Sequence, residues 1–154
     1  METGRITVRR ARPIDLGEID RIEREAFPDP WESSVFEEAL SLFPTTFFVA
    51  QKGATLAGFI LSGTEFTGEQ TYGHICNLAV DRRMQKKGIG RMLVQRVEHE
   101  FLISCASGIQ LEVRLSNTKA QEFYERLGYQ DVFQISQYYA NGEDALVMMK
   151  WFNF

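Results

Sequence analysis

A mixed α/β domain, with elements in the order β-α-α-β-β-β-α-β-α-β-β, is the fold class that the sequence predicts. Two observations carry this expectation. Apolar residues alternate with polar ones in several short segments, as in strands with one covered face, and elsewhere recur at three- and four-residue spacing, as in helices. Turn residues such as Gly53, Gly68, Gly128 and Asn141-Gly142 separate these segments. The chain of 154 residues suits one domain at roughly 100–200 residues each, so 1–154 is expected to form one.

The first strand is expected at 5–10, where Arg-Ile-Thr-Val-Arg-Arg alternates. Pro13 and Asp15 open a helix whose Leu16, Ile19, Ile22 and Ala26 share a face, with Glu18 placed to complete a capping box. Phe27-Pro28-Asp29-Pro30-Trp31 stops it, because each proline disfavours helix at the residue before it. Ser34-x-x-Glu37 predicts a capping box for a short second helix holding Phe36, Ala39 and Leu40, with Phe36 in the core. Strands follow at about 46–51, 55–64 and 72–80. After a basic turn at 81–87, Ile89, Leu93, Val97 and Phe101 form the apolar stripe of a helix starting near Gly88. Ile109, Leu111, Val113 and Leu115 mark one face of a strand, leaving Glu112 and Arg114 on the other. Asn117 or Thr118 caps a helix carrying Ala120, Phe123, Tyr124 and Leu127, which Gly128 ends. Two last strands, about 130–139 and 144–152, are joined by the Asn141-Gly142 turn, with Tyr138 and Tyr139 on the first of them. Adjacent middle strands permit hairpins, whereas the 80–109 and 115–130 connections carry helices, so a mixed, helix-covered sheet follows.

Composition narrows the function classes. With 44% hydrophobic and 25% charged residues the chain is globular rather than disordered. No run of about 18 apolar residues is present, so no membrane span is expected. The N-terminal Met1-Glu2-Thr3-Gly4-Arg5 lacks the apolar stretch of a signal peptide, so a cytoplasmic protein is expected. Two cysteines, Cys76 and Cys105, and two histidines, His74 and His99, are too few for a disulfide framework or a metal site, so no metal is expected. Both cysteines read as packing residues. A net charge of −4 speaks against a nucleic-acid partner.

Within this acidic chain, Asp81-Arg82-Arg83-Met84-Gln85-Lys86-Lys87-Gly88-Ile89-Gly90-Arg91 is strongly basic. It joins a strand ending in Leu78-Ala79-Val80 to a helix N-terminus. Gly88 and Gly90 expose backbone N–H groups that no side chain shields, and a helix N-terminus favours an anion. A small polyphosphate fits this local reversal of charge better than a long nucleic acid. No Gly-Lys-Ser/Thr triplet is present, and Leu93 breaks the dinucleotide fingerprint Gly-x-Gly-x-x-Gly. Taken alone, the segment also fits a basic turn that merely starts a helix.

The Gln-x-x-Gly-x-Gly of Gln85–Gly90 resembles the acetyl-coenzyme A loop of the GCN5-related N-acetyltransferase (GNAT) superfamily. Leu111-Glu112-Val113-Arg114-Leu115-Ser116-Asn117 and Ala120-x-x-Phe123-Tyr124 resemble the later cofactor-binding and catalytic segment of its RimI-type ribosomal-protein N-terminal acetyltransferases. Gln137-Tyr138-Tyr139-Ala140-Asn141-Gly142-Glu143-Asp144-Ala145 is similar to a signature of that group. The catalytic subunit of the N-terminal acetyltransferase A complex and its archaeal relatives share that signature. Gly73-His74-Ile75 resembles the archaeal relatives in particular. Ala26-Phe27-Pro28 and Pro30-Trp31-Ser33 partly match the RimI-type loop between the first two helices, where Asp29 and Glu32 interrupt the spacing.

The resemblance implies a GNAT acyl-coenzyme A N-acyltransferase fold and a transferase acting on protein N-termini with acetyl-coenzyme A as cosubstrate. Leu78, Ala79 and Val80 would meet the acetyl-pantetheine arm, and Gln85, Lys86, Lys87, Gly88, Ile89, Gly90 and Arg91 the pyrophosphate. Asn117 would touch the pantetheine, and Tyr124 would protonate the departing thiolate. Glu112 resembles the base, acting through water, and His74 a histidine that shares the task in archaeal relatives. Phe27, Pro28, Trp31, Tyr138 and Tyr139 would flank the slot for a peptide N-terminus, with an auxiliary or ribosomal partner alongside.

The chemistry is consistent with that implication. An α-amino group with a pKa of about 7.7–8.0 is roughly 10–25% neutral near pH 7.2, whereas a lysine at about 10.4 is neutral to less than about 0.1%. Modest help from a carboxylate therefore suffices for an N-terminus. Two other readings compete: a GNAT enzyme acting on a small-molecule amine or a lysine side chain, and a non-catalytic coenzyme A-binding module.

Overall fold

The computed structural model describes residues 5–153 of the chain. Its elements follow the expected order, with two short 3-10 turns added. They are β1 (Ile6–Arg10), α1 (Leu16–Ala26), α2 (Ser33–Leu42), β2 (Phe47–Lys52), β3 (Thr55–Phe66) and β4 (Thr71–Val80). There follow α3 (Ile89–Ile103), β5 (Gly108–Arg114), α4 (Thr118–Arg126), β6 (Gln130–Ile135) and β7 (Ala145–Trp151). The strands form one seven-stranded sheet in the order β1-β2-β3-β4-β5-β7-β6. β4 and β5 run parallel and are connected through α3, as a parallel pair requires. β1–β2, β2–β3, β5–β7 and β6–β7 are antiparallel, so the sheet is mixed as predicted.

The chain divides into two compact units, one containing residues up to Gly63 with Asn77–Glu100, the other Thr64–Cys76 with the residues from Phe101 onward. β3, β4 and α3 each run through the division. In the first unit, Phe36, Phe47 and Phe59 form an aromatic cluster with centroids 5.3–6.5 Å apart, all three rings buried. Burying a side chain of this size stabilises by roughly 1.5–3 kcal/mol. Ile19 and Ile22 of α1 and Ile89, Leu93 and Val97 of α3 are buried too, as their spacing predicts, whereas Ala26 is exposed. In the second unit the core is Ile75, Phe101, Ile109, Leu111, Val113 and the continuous run Ala145–Met149. β7 carries an unbroken apolar run whose residues Ala145–Met149 are all buried, so both of its faces are covered. Gly73 admits the Phe101 ring, since a Cβ there would lie 2.4 Å from it.

Several local expectations are corrected. Asp15 does not cap α1 with its side chain; its buried carboxylate accepts from the two terminal Arg9 guanidinium nitrogens at 2.8 and 2.9 Å and from the Arg12 N–H at 2.8 Å. Glu18 turns to Arg21 instead. Ser34 caps nothing: the N-cap is Glu32, two residues earlier, and Ser33 Oγ donates to Asp20 of α1, anchoring the first turn. Leu115 lies beyond β5 and is exposed, because the chain turns there toward Asn117, whose N–H reaches Arg114 O. Of the two alternatives, Asn117 caps α4, accepting the Ala120 N–H at 3.1 Å.

Cys105 is not a packing residue. It is exposed, with a φ of 63°, at the position after α3 where Ala106 N–H reaches Phe101 O and Cys105 N–H reaches Leu102 O. This Schellman pattern ordinarily takes glycine, as it does at Gly128 after α4.

Tyr138 and Tyr139 are not on a strand, since β6 ends at Ile135. Residues 136–144 form a loop instead of a tight hairpin. Gln137 adopts φ 51°, and the backbone N–H groups of both Tyr138 and Tyr139 donate to one carbonyl, Glu143 O, at 3.1 Å. Two adjacent donors meeting one acceptor cannot belong to a pleated strand, whose N–H groups alternate in direction. The Asn141-Gly142 turn sits inside this loop, with Gly142 at φ 88°.

Candidate active site

In the first unit, β4 ends at Val80 and Asp81 begins the basic turn. The Asp81 carboxylate is buried and accepts the Arg83 N–H at 2.9 Å, the Arg83 guanidinium at 2.9 and 3.2 Å, and Arg21 from α1 at 3.0 Å. Hydrogen bonds from Arg83, with Arg21 adding to them against the opposing effect of burial, hold its pKa well below the usual carboxylate range. The turn is thereby fixed at its first residue, through a 3-10 segment at Arg82–Met84. Gln85 Nε2 donates back to Val80 O at 3.3 Å. Lys86 and Gly88 adopt φ of 65° and 79°, which bring the chain round to start α3 at Ile89. The Met92 N–H reaches Gly88 O, so the N–H groups of Ile89, Gly90 and Arg91 precede the first intrahelical bond. Gly58 of β3 completes the arrangement: a Cβ there would stand 2.8 Å from Ala79 O.

These observations fit a pyrophosphate cradle, with backbone donors ahead of a helix and lysines and arginines beside them. An Asp81→Asn substitution removes the charge that anchors the turn. It is expected to weaken pyrophosphate binding roughly tenfold, the equivalent of one charge-assisted hydrogen bond, which calorimetry with pyrophosphate would read directly.

In the second unit, His74 of β4 and Glu112 of β5 come together across the parallel pair. His74 lies opposite Gln110, so Glu112 is its diagonal neighbour on the same face. His74 Nε2 is 2.8 Å from Glu112 Oε1. The other ring nitrogen, Nδ1, is 3.1 Å from Glu65 Oε1 of β3 and 4.0 Å from Cys76 Sγ. Burial alone would favour the neutral ring. The contacts with Cys76 and Glu112 outweigh it and hold His74 as an imidazolium, its pKa pushed up to about 10. Tyr138 Oη donates to the same Glu112 oxygen at 3.5 Å.

Arg114, two residues along β5, organises the 136–144 loop. Its guanidinium bonds Glu143 at 3.1 Å and Asn141 at 3.2 Å and stacks 4.1 Å over the Tyr139 ring. Glu143 also accepts the Ser116 N–H at 2.8 Å. Burial first, then the neighbouring Tyr138, raises the Tyr139 phenol to about 12, with Arg114 opposing. Tyr124 of α4 is buried beside Phe123 and Tyr129, and burial raises its phenol well above the ordinary tyrosine value. It therefore stays protonated throughout the neutral range.

The α1–α2 loop with Phe27, Pro28 and Trp31 is held from the first unit by Glu23, a residue that helical spacing alone did not single out. Its buried carboxylate accepts the Trp31 N–H at 2.9 Å and Asn77 Nδ2 at 2.6 Å. Trp31 leans on Phe36 with centroids 5.7 Å apart. Burial raises the Glu23 pKa, and those two hydrogen bonds counter part of the rise. The other residues missed from sequence are Asp81 as an anchor and Glu65 and Cys76 beside His74. His74 and Cys76 share one face of β4 by alternation, a signal that was present in the sequence.

The family model described as the acetyltransferase (GNAT) family matches residues 16–129. The chain belongs to the GNAT acetyltransferase family. Membership makes it an N-acetyltransferase that uses acetyl-coenzyme A, and no cluster suited to a metal ion occurs among the described residues. The chain is 38% identical to an N-acetyltransferase of Methanocaldococcus jannaschii, covering 93% of this chain and 90% of that protein. It is 32% identical to an N-alpha-acetyltransferase of Sulfurisphaera tokodaii, covering 92% and 90%. The ribosomal-protein-S18-alanine N-acetyltransferase of Escherichia coli superposes with a TM-score of 0.82 at 26% identity, over 97% of this chain and 96% of the other. Both the archaeal and the RimI-type sides of the sequence resemblance thus recur among these similar proteins. Among the described residues, no helix of this GNAT enzyme is long and apolar enough to cross a membrane.

Proposed function

We propose that this GNAT enzyme works in the cytoplasm and acetylates the N-terminal α-amino group of proteins, by direct attack of the amine on acetyl-coenzyme A in a ternary complex. The observation that carries the reading is the Glu112 carboxylate, bonded on one oxygen by the His74 imidazolium at 2.8 Å. A cationic His74 is a poor base, so the proton acceptor is Glu112, directly or through one water, and His74 keeps it oriented. As the N–C bond forms and the C–S bond breaks, the amine surrenders its proton to Glu112 and the coenzyme A thiolate takes the proton of Tyr124. Burial keeps the Tyr124 phenol protonated through the neutral range, so its proton is available to the departing thiolate, and positioning supplies a large part of the rate.

The remaining roles follow the same reading. Leu78–Val80 meets the acetyl-pantetheine arm, Gln85–Arg91 the pyrophosphate, and Asn117, beyond capping α4, the pantetheine. Phe27, Pro28 and Trp31 of the first unit, and Tyr138 and Tyr139 of the second, are assigned to the peptide, with an auxiliary or ribosomal partner presenting it. Acetyl-coenzyme A consumption should be compared for short peptides with free N-termini, the same peptides blocked at the N-terminus but containing lysine, and polyamines. The free peptides are expected to react; reaction of only the blocked lysine peptides or of polyamines would overturn the proposal.

A further inference from the structure

The proposed mechanism leaves Glu65 without a task, yet its carboxylate stands 3.1 Å from the ring nitrogen of His74 that faces away from Glu112. Glu65 comes from β3, His74 and Cys76 from β4, Glu112 from β5, and Tyr138 reaches Glu112 from the 136–144 loop. The groups facing His74 are therefore two carboxylates, one at each ring nitrogen, and one thiol. The side chains grade outward: Glu112 is 13% exposed, His74 19% and Glu65 46%. A cation between two anions is held more firmly than one paired on a single side, and Glu112 is too enclosed to exchange partners easily.

We infer that Glu65 is a positioning residue of the acetyl-transfer reaction. It holds His74 from the Nδ1 side, so that the ring keeps Nε2 on one Glu112 oxygen and leaves the other oxygen to the substrate proton. This rests on Glu112 being the proton acceptor. Because Glu65 touches the ring and not the reacting atoms, its effect passes entirely through His74. Its water-exposed position limits the electrostatic share, so the effect is smaller than that of a buried partner.

The chain has only His74 and His99, so imidazole NMR can follow each ring through a pH titration of the unliganded protein. In Glu65→Gln, which keeps shape and loses charge, the His74 midpoint is expected to fall by about one pH unit while His99 stays in place. In steady-state acetylation, kcat is expected to fall about three- to tenfold, with KM for acetyl-coenzyme A unchanged and Glu65→Asp recovering part of the loss. A Cys76→Ala protein serves as the comparison at the same nitrogen. If the His74 midpoint stays put in Glu65→Gln but moves in Cys76→Ala, the thiol is the partner and the inference falls. An unchanged kcat also overturns it. The NMR readout needs no substrate, so failure to acetylate peptides would count against the proposed function and leave this result standing on its own.

Discussion

Glu112→Gln is expected to lower kcat by about 10²- to 10⁴-fold, the span that a positioned general base contributes, while acetyl-coenzyme A binds almost as before. The substitution preserves side-chain shape and still offers an oxygen to His74 Nε2, so lost turnover would report lost basicity. His74→Ala, by contrast, should retain more activity, since it leaves the carboxylate in place and removes only its support. The pair also governs stability. His74 rises from its ordinary 6.5 to about 10 in the fold, so its contribution is complete below about pH 6.5 and is lost as pH climbs through about 10. The difference in Tm between the native protein and Glu112→Gln should therefore narrow as pH rises between those values. A gap that widened with pH would mean that His74 is neutral in the folded protein.

Tyr124→Phe is the second large effect. It removes one oxygen from a buried ring that keeps its contacts with Phe123 and Tyr129, and it is expected to cut turnover by about 10²-fold through loss of the acid. Calorimetric binding of acetyl-coenzyme A should change little. Because burial raises the phenol well above its ordinary value, the native enzyme should show no fall in rate near pH 10 from tyrosine ionisation. Full turnover in Tyr124→Phe would assign the thiolate proton to another donor.

The parts of the fold with long, regular periods were legible in the sequence. α3 and α4 carry their apolar residues at unbroken three- and four-residue spacing, and β5 alternates from Ile109 to Val113. The basic turn stood out because its charge opposes that of the chain. What stayed hidden depends on contacts between residues far apart. The start of α2 is anchored through Ser33 and Asp20, so the local Ser34-x-x-Glu37 pattern misled. The 136–144 loop owes its form to Arg114 and to one Glu143 carbonyl, neither of which local spacing exposes. Glu65 was missed because β3 runs on to Phe66, past the strand end that spacing suggested, and because its partner lies on another strand. His74 and Glu112 could be named individually from the resemblance. Their joining at 2.8 Å follows from the parallel register of β4 and β5.

The identity of the acetylated amine, an N-terminal α-amine, can be read directly. A synthetic peptide bearing a free N-terminus and one internal lysine, incubated with enzyme and acetyl-coenzyme A at about pH 7.2 and sequenced by tandem mass spectrometry, locates the new acetyl group. A single acetyl on the first residue is expected, absent with Glu112→Gln over the same time. Acetyl on the lysine with the N-terminus untouched would contradict it.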